Sequence, residues 1–229
     1  MSNIKIISHR GARGLETENT LESLKAAVKA GADRVEFDVW TTQDNVPILN
    51  HDADFRAVAG DPRRVFKLRY EEIQKLRTHD GKKIISADMA LAYLKRQKVP
   101  AYIEIKDFYL SSGVLKLLEK YRGCDTWVGS NNHSVMTALA KKRPDLYLVP
   151  GTIWHPVETM HFARKHKIQG MSLSFHWFNP VVYFFCRRYG IELLLYTINS
   201  PWQIKFIKKV YPGVSIITDY PDRAVKLIR

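Results

Sequence analysis

The chain is poor in cysteine. Cys124 and Cys186 are the two it has in 229 residues, too few for a disulfide framework, and without a C-x-x-C pair no zinc knuckle is indicated. Long hydrophobic runs are missing too. The densest, Val181–Cys186 and Leu193–Leu195, fall far short of the roughly 18 apolar residues of a membrane helix. The start, Met-Ser-Asn, enters Ile4-Lys5-Ile6-Ile7 with no apolar leader, so a soluble, cytoplasmic protein is expected. Linkers, internal repeats and low-complexity tracts are absent as well. With 45% hydrophobic and 26% charged residues the composition is that of an ordinary globular chain, which excludes collagen and low-complexity disorder. One domain spanning residues 1–229 is expected.

Acidic residues are also in short supply. Asp and Glu number 23 against 36 Lys and Arg, a net charge of +13. The excess is uneven: residues 160–229 carry 11 bases and three acids, a net +8, which leaves +5 for residues 1–159. Such a balance points to an anionic partner (a phosphate substrate, an acidic membrane surface or nucleic acid) or simply to a solvated basic surface. Nucleic acid is the weakest of these, because the bases are spread over several elements and no stacking-aromatic or recognition-helix pattern accompanies them.

Short β-branched runs alternate with helical patterns along the whole chain. Strands are expected at 5–8, 34–39, 101–106, 126–129, 146–150, 170–174, 192–198 and 215–218. Helices are expected around 20–30, 87–97, 114–120, 134–142, 157–167, 180–189 and 201–210, with a last short one from Asp222. Eight β-then-α units in strict alternation predict a parallel sheet closed into a TIM (β/α)8 barrel. Residues 52–86 break the rhythm. They read as an insertion with a short helix from Tyr70 to Leu76, placed where barrel loops build active sites, as a lid, a wall or mere decoration.

Polar residues fall in telling places on the strands. In Arg34-Val35-Glu36-Phe37-Asp38-Val39 the period of two puts Val35, Phe37 and Val39 under the helices and Glu36 and Asp38 inside the barrel. Glu104 and Lys106 share a face in the same way. Ser8-His9-Arg10-Gly11 ends the first strand, and His51-Asp52 follows the run Val46-Pro47-Ile48-Leu49. Singly, each has a dull reading as a surface or satisfied core group. Together they bring three carboxylates, two histidines, an arginine and a lysine to one end of the barrel. The all-oxygen set Glu36, Asp38 and Glu104 suits a hard cation such as Mg²⁺ or Ca²⁺, with Mn²⁺ also admissible, rather than Zn²⁺. Arg10 and Lys106 would face phosphoryl oxygens, and His9 and His51 suit acid–base work near neutral pH. These parts describe a metal-assisted phosphodiesterase.

The blocks His9-Arg10-Gly11, Glu18-Asn19-Thr20, Gly31-Ala32-Asp33, Glu36-x-Asp38-Val39 and His51-Asp52 resemble the signature of glycerophosphodiester phosphodiesterases. Ile103-Glu104-Ile105-Lys106, Tyr196-Thr197-Ile198-Asn199 and Ile216-Ile217-Thr218-Asp219-Tyr220-Pro221 are similar to later blocks, in family order, from His9 to about Pro221. The resemblance implies a barrel that hydrolyses glycerophosphodiesters to sn-glycerol 3-phosphate and an alcohol. It implies one divalent cation on Glu36, Asp38 and Glu104, catalysis by His9 and His51, and Arg10 and Lys106 on the phosphate. His51 is expected as the acid on the leaving group and His9 as base or nucleophile, with attack by water or by the neighbouring glycerol hydroxyl through a cyclic phosphate. Four positions depart from the pattern: Thr17 for Pro, Asn45 for Gly, Tyr196 for Trp, and Trp40 for a smaller polar residue.

Further roles follow from placement. Glu18 is expected to order Arg10 or the substrate, or else to cap the next helix, and Asp52 to orient His51. His176 is expected to contact the alcohol. His133, His155, His161 and His166 are expected on the surface. The helix through Val181–Arg188 is apolar on nearly every face before turning basic, which fits a homo-oligomer interface or contact with an anionic membrane. Contact with lipid would make lysophospholipids substrates in a lysophospholipase D-type reaction.

Overall fold

The computed structural model describes residues 4–152 and 156–229; His155, expected on the surface, lies outside them. β1 (Ile6–Ser8) leads into α1 (Leu21–Lys29), β2 (Arg34–Thr41) and β3 (Pro47–Leu49). An excursion follows, with β4 (Asp54–Phe55), α2 (Arg56–Ala59), β5 (Asp61–Arg64) and α3 (Tyr70–Ile73). The alternation resumes through α4 (Ala87–Gln97), β6 (Ala101–Ile105), α5 (Ser112–Lys120), β7 (Thr126–Ser130), α6 (His133–Lys142), β8 (Tyr147–Thr152) and α7 (Pro156–Lys165). It closes with β9 (Gly170–Ser174), α8 (Pro180–Tyr189), β10 (Glu192–Tyr196), α9 (Pro201–Val210), β11 (Ser215–Thr218) and α10 (Pro221–Ile228).

The sheet runs β1-β11-β10-β9-β8-β7-β6-β2, and β1 also pairs with β2, so the eight parallel strands close on themselves as the expected TIM barrel. Alternation along each strand sorts residues between two cores. Phe37, Ile103, Val128, Leu195 and Ile216 point outward into the main core, against helix residues such as Leu91, Leu94 and Leu117. Ile7, Tyr102, Trp127, Val149, Leu194 and Ile217 point inward and fill the barrel. Both faces are apolar because a parallel barrel buries both. Glu36 lies level with Tyr102 and Asp38 level with Glu104 in the β2–β6 register, so the carboxylates sit inside the wall toward its C-terminal end.

β3 is an addition to the barrel, antiparallel to the end of β2 with Leu49 opposite Val39. The excursion after it has a core of its own, in which Trp40 and Ile48 join Phe55, Val65, Leu68, Ile73 and Ile84. The helix expected to reach Leu76 stops at Ile73. Arg77 instead pairs with Lys83 across a turn at Gly81, which draws the chain out of helical geometry.

Cys186, on the inner face of α8, is 1% exposed, and burial pushes its thiol pKa up to about 12. A buried thiol of that kind is inert. Titration with an aromatic disulfide at pH 8 should therefore leave Cys186 unmodified in the native protein, with its full reaction appearing only in denaturant.

Candidate active site

The turn after β1 is built to hold two side chains still. Arg10 (φ 49°) and Gly11 (φ 75°) both adopt left-handed backbone. A Cβ at Gly11 would fall 2.2 Å from Ser23 Oγ, so glycine is required there. The turn is tied down by His9 N–H donating to the Thr218 carbonyl (2.9 Å) and Gly11 N–H to the Glu36 carbonyl (2.8 Å). Arg10 N–H donates to Glu36 Oε2 at 2.6 Å. His9 thereby faces the barrel opening, with Asp219 Oδ1 2.7 Å from its Nδ1 and Asn199 Nδ2 donating to the other Asp219 oxygen at 2.7 Å.

Glu36, Asp38 and Glu104 each bring a carboxylate oxygen within 4.8 Å of the others. Glu36 and Asp38 are buried, and Glu36 Oε1 has no hydrogen-bond partner among the described residues. A buried carboxylate oxygen left unpaired beside two more carboxylates is what a hard cation fits. Lys106 reaches into the cluster, 2.6 Å from Glu104 and 3.0 Å from Asp38. Asn19 holds Asp38 from both sides, donating to Oδ2 (3.0 Å) and accepting the Asp38 N–H (3.1 Å).

The electrostatics follow from these neighbours. Burial, reinforced by the charges of Asp38 and Glu104, drives the Glu36 pKa well above the usual carboxylate range. Burial would raise Asp38 too, but Lys106, Arg10 and His51 outweigh it and hold Asp38 at about 2. Burial opposes the charge on Lys106, yet Glu104 and Asp38 prevail and raise its pKa. Asp219 is likewise lowered against burial, chiefly by His9, then Asn199 and Arg13.

His51 arrives from the excursion. Its Nδ1 lies 2.8 Å from Asp52 Oδ1, and its carbonyl accepts Trp40 Nε1–H at 3.0 Å. Glu18 engages Arg10 (2.8 Å) and Arg13 (3.2 Å), while Thr20 is the residue that caps α1. A cavity of about 230 Å³ is lined by His9, Arg10, Glu36, His51, Glu104 and Lys106, and Arg13, Asn131, Ser172 and Tyr196 are among the other residues of its wall. His176 does not join them. It is exposed on the short turn after β9 and does not line that cavity, so the expected contact with the alcohol has no support in the geometry. His133, expected on the surface, is half-buried and stacks on Phe162 at 4.3 Å.

The supporting residues carry little signal in the sequence. Asn19, Asp219 and Asn199 lie within the family-like blocks with nothing local to mark their roles, and Asn131 follows directly on the end of β7. Of the departures, Asn45 takes a left-handed φ of 62°, as an Asn for Gly exchange permits. Thr17 ties the first loop to the excursion by donating to Asp80 at 2.6 Å.

Residues 9–223 match the model of the glycerophosphoryl diester phosphodiesterase family. The chain belongs to that family, whose members are phosphoric diester hydrolases. A glycerophosphodiester phosphodiesterase from Caldanaerobacter subterraneus is 26% identical over 98% of this chain and 97% of its own. Human glycerophosphodiester phosphodiesterase 1 is 38% identical over a shorter stretch, 32% of this chain and 22% of its own. Among solved structures, an Oleispira antarctica phosphodiesterase in complex with the product sn-glycerol-3-phosphate superposes with a TM-score of 0.88 at 19% identity, over 98% of this chain and 96% of that one. The Thermotoga maritima glycerophosphodiester phosphodiesterase gives 0.84 at 22% identity over 99% of both chains. At such identities the likeness is one of fold.

Asp219 positions His9 without reaching the cavity wall itself. Asp219→Asn should lower kcat about 10- to 100-fold, the usual cost of losing a carboxylate that orients a functional imidazole, with KM and divalent-cation affinity by calorimetry nearly unchanged.

Proposed function

We propose that this chain hydrolyses glycerophosphodiesters to sn-glycerol 3-phosphate and an alcohol, using one divalent cation and two histidines. The observation that carries the reading is one small cavity lined by Glu36, Glu104, His9 and His51, with an Asp38 oxygen within 4.8 Å of both glutamates, a buried Glu36 oxygen without a partner among the described residues, and each imidazole against a carboxylate. Glu36, Asp38 and Glu104 would hold Mg²⁺, Ca²⁺ or Mn²⁺. When bound, the cation supplies Lewis-acid stabilisation of charge on the phosphate oxygens.

The protein's own residues do the rest. Arg10 and Lys106 present fixed positive charge to the phosphodiester. Asp219 at His9 Nδ1 leaves Nε2 to take a proton from the attacking hydroxyl or to attack phosphorus itself. Asp52 at His51 Nδ1 leaves Nε2 to protonate the departing alcohol oxygen as the P–O bond breaks. Trp40, Phe66 and Phe108 form an aromatic cluster, with centroids 5.6–6.4 Å apart, beside His51 and Lys106. An apolar wall on the leaving-group side favours lysophospholipids as a second substrate class, reached by lysophospholipase D-type hydrolysis.

Release of glycerol 3-phosphate from glycerophosphocholine tests the proposal. EDTA should abolish turnover and added Mg²⁺, Ca²⁺ or Mn²⁺ should restore it in the wild type but not in Glu36→Gln. His9→Ala and His51→Ala should each lose about 10²–10⁴-fold in kcat while still binding the cation by calorimetry. Near-normal turnover in either histidine variant, or full activity in EDTA, would sink the scheme.

A further inference from the structure

Large apolar side chains left in water gather on one flank of the barrel. On α8, Val181 and Phe184 are 73% and 66% exposed; on α9, Trp202 and Phe206 are 62% and 41% exposed. Scattered single residues of this kind need no explanation. These are joined. Ring centroids run from Phe175 to Trp202 (6.2 Å), on to Phe206 (6.5 Å) and Tyr211 (5.6 Å), and back through Tyr183 (5.0 Å) to Phe184 (5.3 Å). The exposed rings of the two helices are thus linked through Tyr211 and the buried Tyr183.

Cations share the same helical faces. Val181, Phe184 and Arg188 recur at spacings of three and four, as do Trp202, Phe206 and Lys209, so each stripe turns from apolar to basic along its length. From residue 175 to 211 there are five bases (Arg187, Arg188, Lys205, Lys208 and Lys209) and a single acid, Glu192. That acid is taken up by Lys5 (2.9 Å), Tyr147 (3.0 Å) and Ser215 (2.7 Å). α8 and α9 start at the C-terminal ends of β9 and β10, which puts Trp177 and Trp202 at the rim of the barrel opening.

We propose that the α8–α9 flank docks on an anionic lipid surface, with the opening of the active site at its edge. Tryptophan and phenylalanine suit the headgroup–acyl boundary, and Arg and Lys lay their stems along apolar surface while their charges reach phosphates. A second copy of this chain is a poorer occupant, since a two-fold contact uses the same patch on both copies and brings ten bases, five from each, together with no free acid to pair them. Nucleic acid would satisfy the bases and leave Val181 and Phe184 in water. The inference does not depend on the proposed reaction, because lipid binding is read without turnover.

Flotation with phosphatidylcholine vesicles, with and without phosphatidylserine, tests it. The wild type should float with the anionic vesicles only, and less as salt rises. Phe184→Glu/Trp202→Glu should reduce the bound fraction about tenfold or more, with glycerophosphocholine turnover and thermal midpoint as controls for folding. Should that variant fail to fold, Lys205→Gln/Lys209→Gln keeps every apolar residue and should still weaken anionic binding. The proposal is overturned by a wild type that stays with the dense fraction, or by variants that float as it does. It is equally overturned by a wild-type dimer in sedimentation velocity that the glutamate variant dissolves, or by an oligonucleotide that binds this flank and is not displaced by vesicles.

Discussion

Three carboxylates held against one another inside a barrel wall are the constraint that the rest of this site answers. Taking an ion out of water costs several kcal/mol even after relaxation, and like charges at this range add to that cost. The surrounding residues supply compensation at nearly every reachable oxygen. Lys106 bridges Glu104 and Asp38, Asn19 clasps Asp38, and the Arg10 backbone N–H meets Glu36. Two fixed cations, Arg10 and Lys106, face three acids, so a deficit of positive charge remains, and the unpartnered Glu36 Oε1 marks where it is felt. A divalent ion would close that deficit. The left-handed backbone at Arg10 and Asn19 belongs to the same account, since those are the conformations that aim an amide at Glu36 and a carboxamide at Asp38.

The fold divides the labour between rigid and added parts. Glu36, Asp38, Glu104 and Lys106 stand on or just past paired barrel strands, and the turn bearing His9 is bonded to β2 and β11. These positions inherit the stiffness of the wall. His51 comes instead from the end of β3, outside the barrel, where its side chain is more open to solvent than that of His9, 35% against 14%. Trp40 compensates by linking them. It follows Asp38 by two residues on the same face of β2, donates to the His51 carbonyl, and packs into the excursion's own core. A residue that departs from the family pattern thus couples the outer histidine to the strand that carries Glu36 and Asp38.

Much of this was legible in the sequence because it depends on periodicity. The eight-unit alternation and the inward phase of Glu36, Asp38 and Glu104 are consequences of a two-residue repeat in strands buried on both faces, and the strand and helix spans follow closely. What was not legible depends on distance across the chain. Asp219 meets His9 over 210 positions, and Asn131 reaches Glu104 from the next strand end. No local pattern announces such pairs. His176 lies outside the cavity for a related reason: the end of β9 lies on the correct face of the barrel, but the 3₁₀ turn that follows leaves the residue exposed. Strand position fixes the end of the barrel, while the conformation of the next two residues fixes the direction.

The charge of the chain makes most sense when inside and outside are counted separately. Around the cavity, Arg10, Arg13 and Lys106 face Glu36, Asp38, Glu104, Glu18 and Asp219, so the site itself is short of positive charge before any ion enters. The net +13 of the protein therefore resides elsewhere, and a substrate with one negative charge does not account for it. The excess lies mainly in the C-terminal portion, where acids are few and where α8 and α9 expose joined aromatic rings. A merely solvated basic surface has no need of those rings, and a merely apolar interface has no need of the bases. Their coincidence on the same helical stripes, reaching the rim of the opening, is what the proposed docking on a surface apolar beneath and anionic on top rests on.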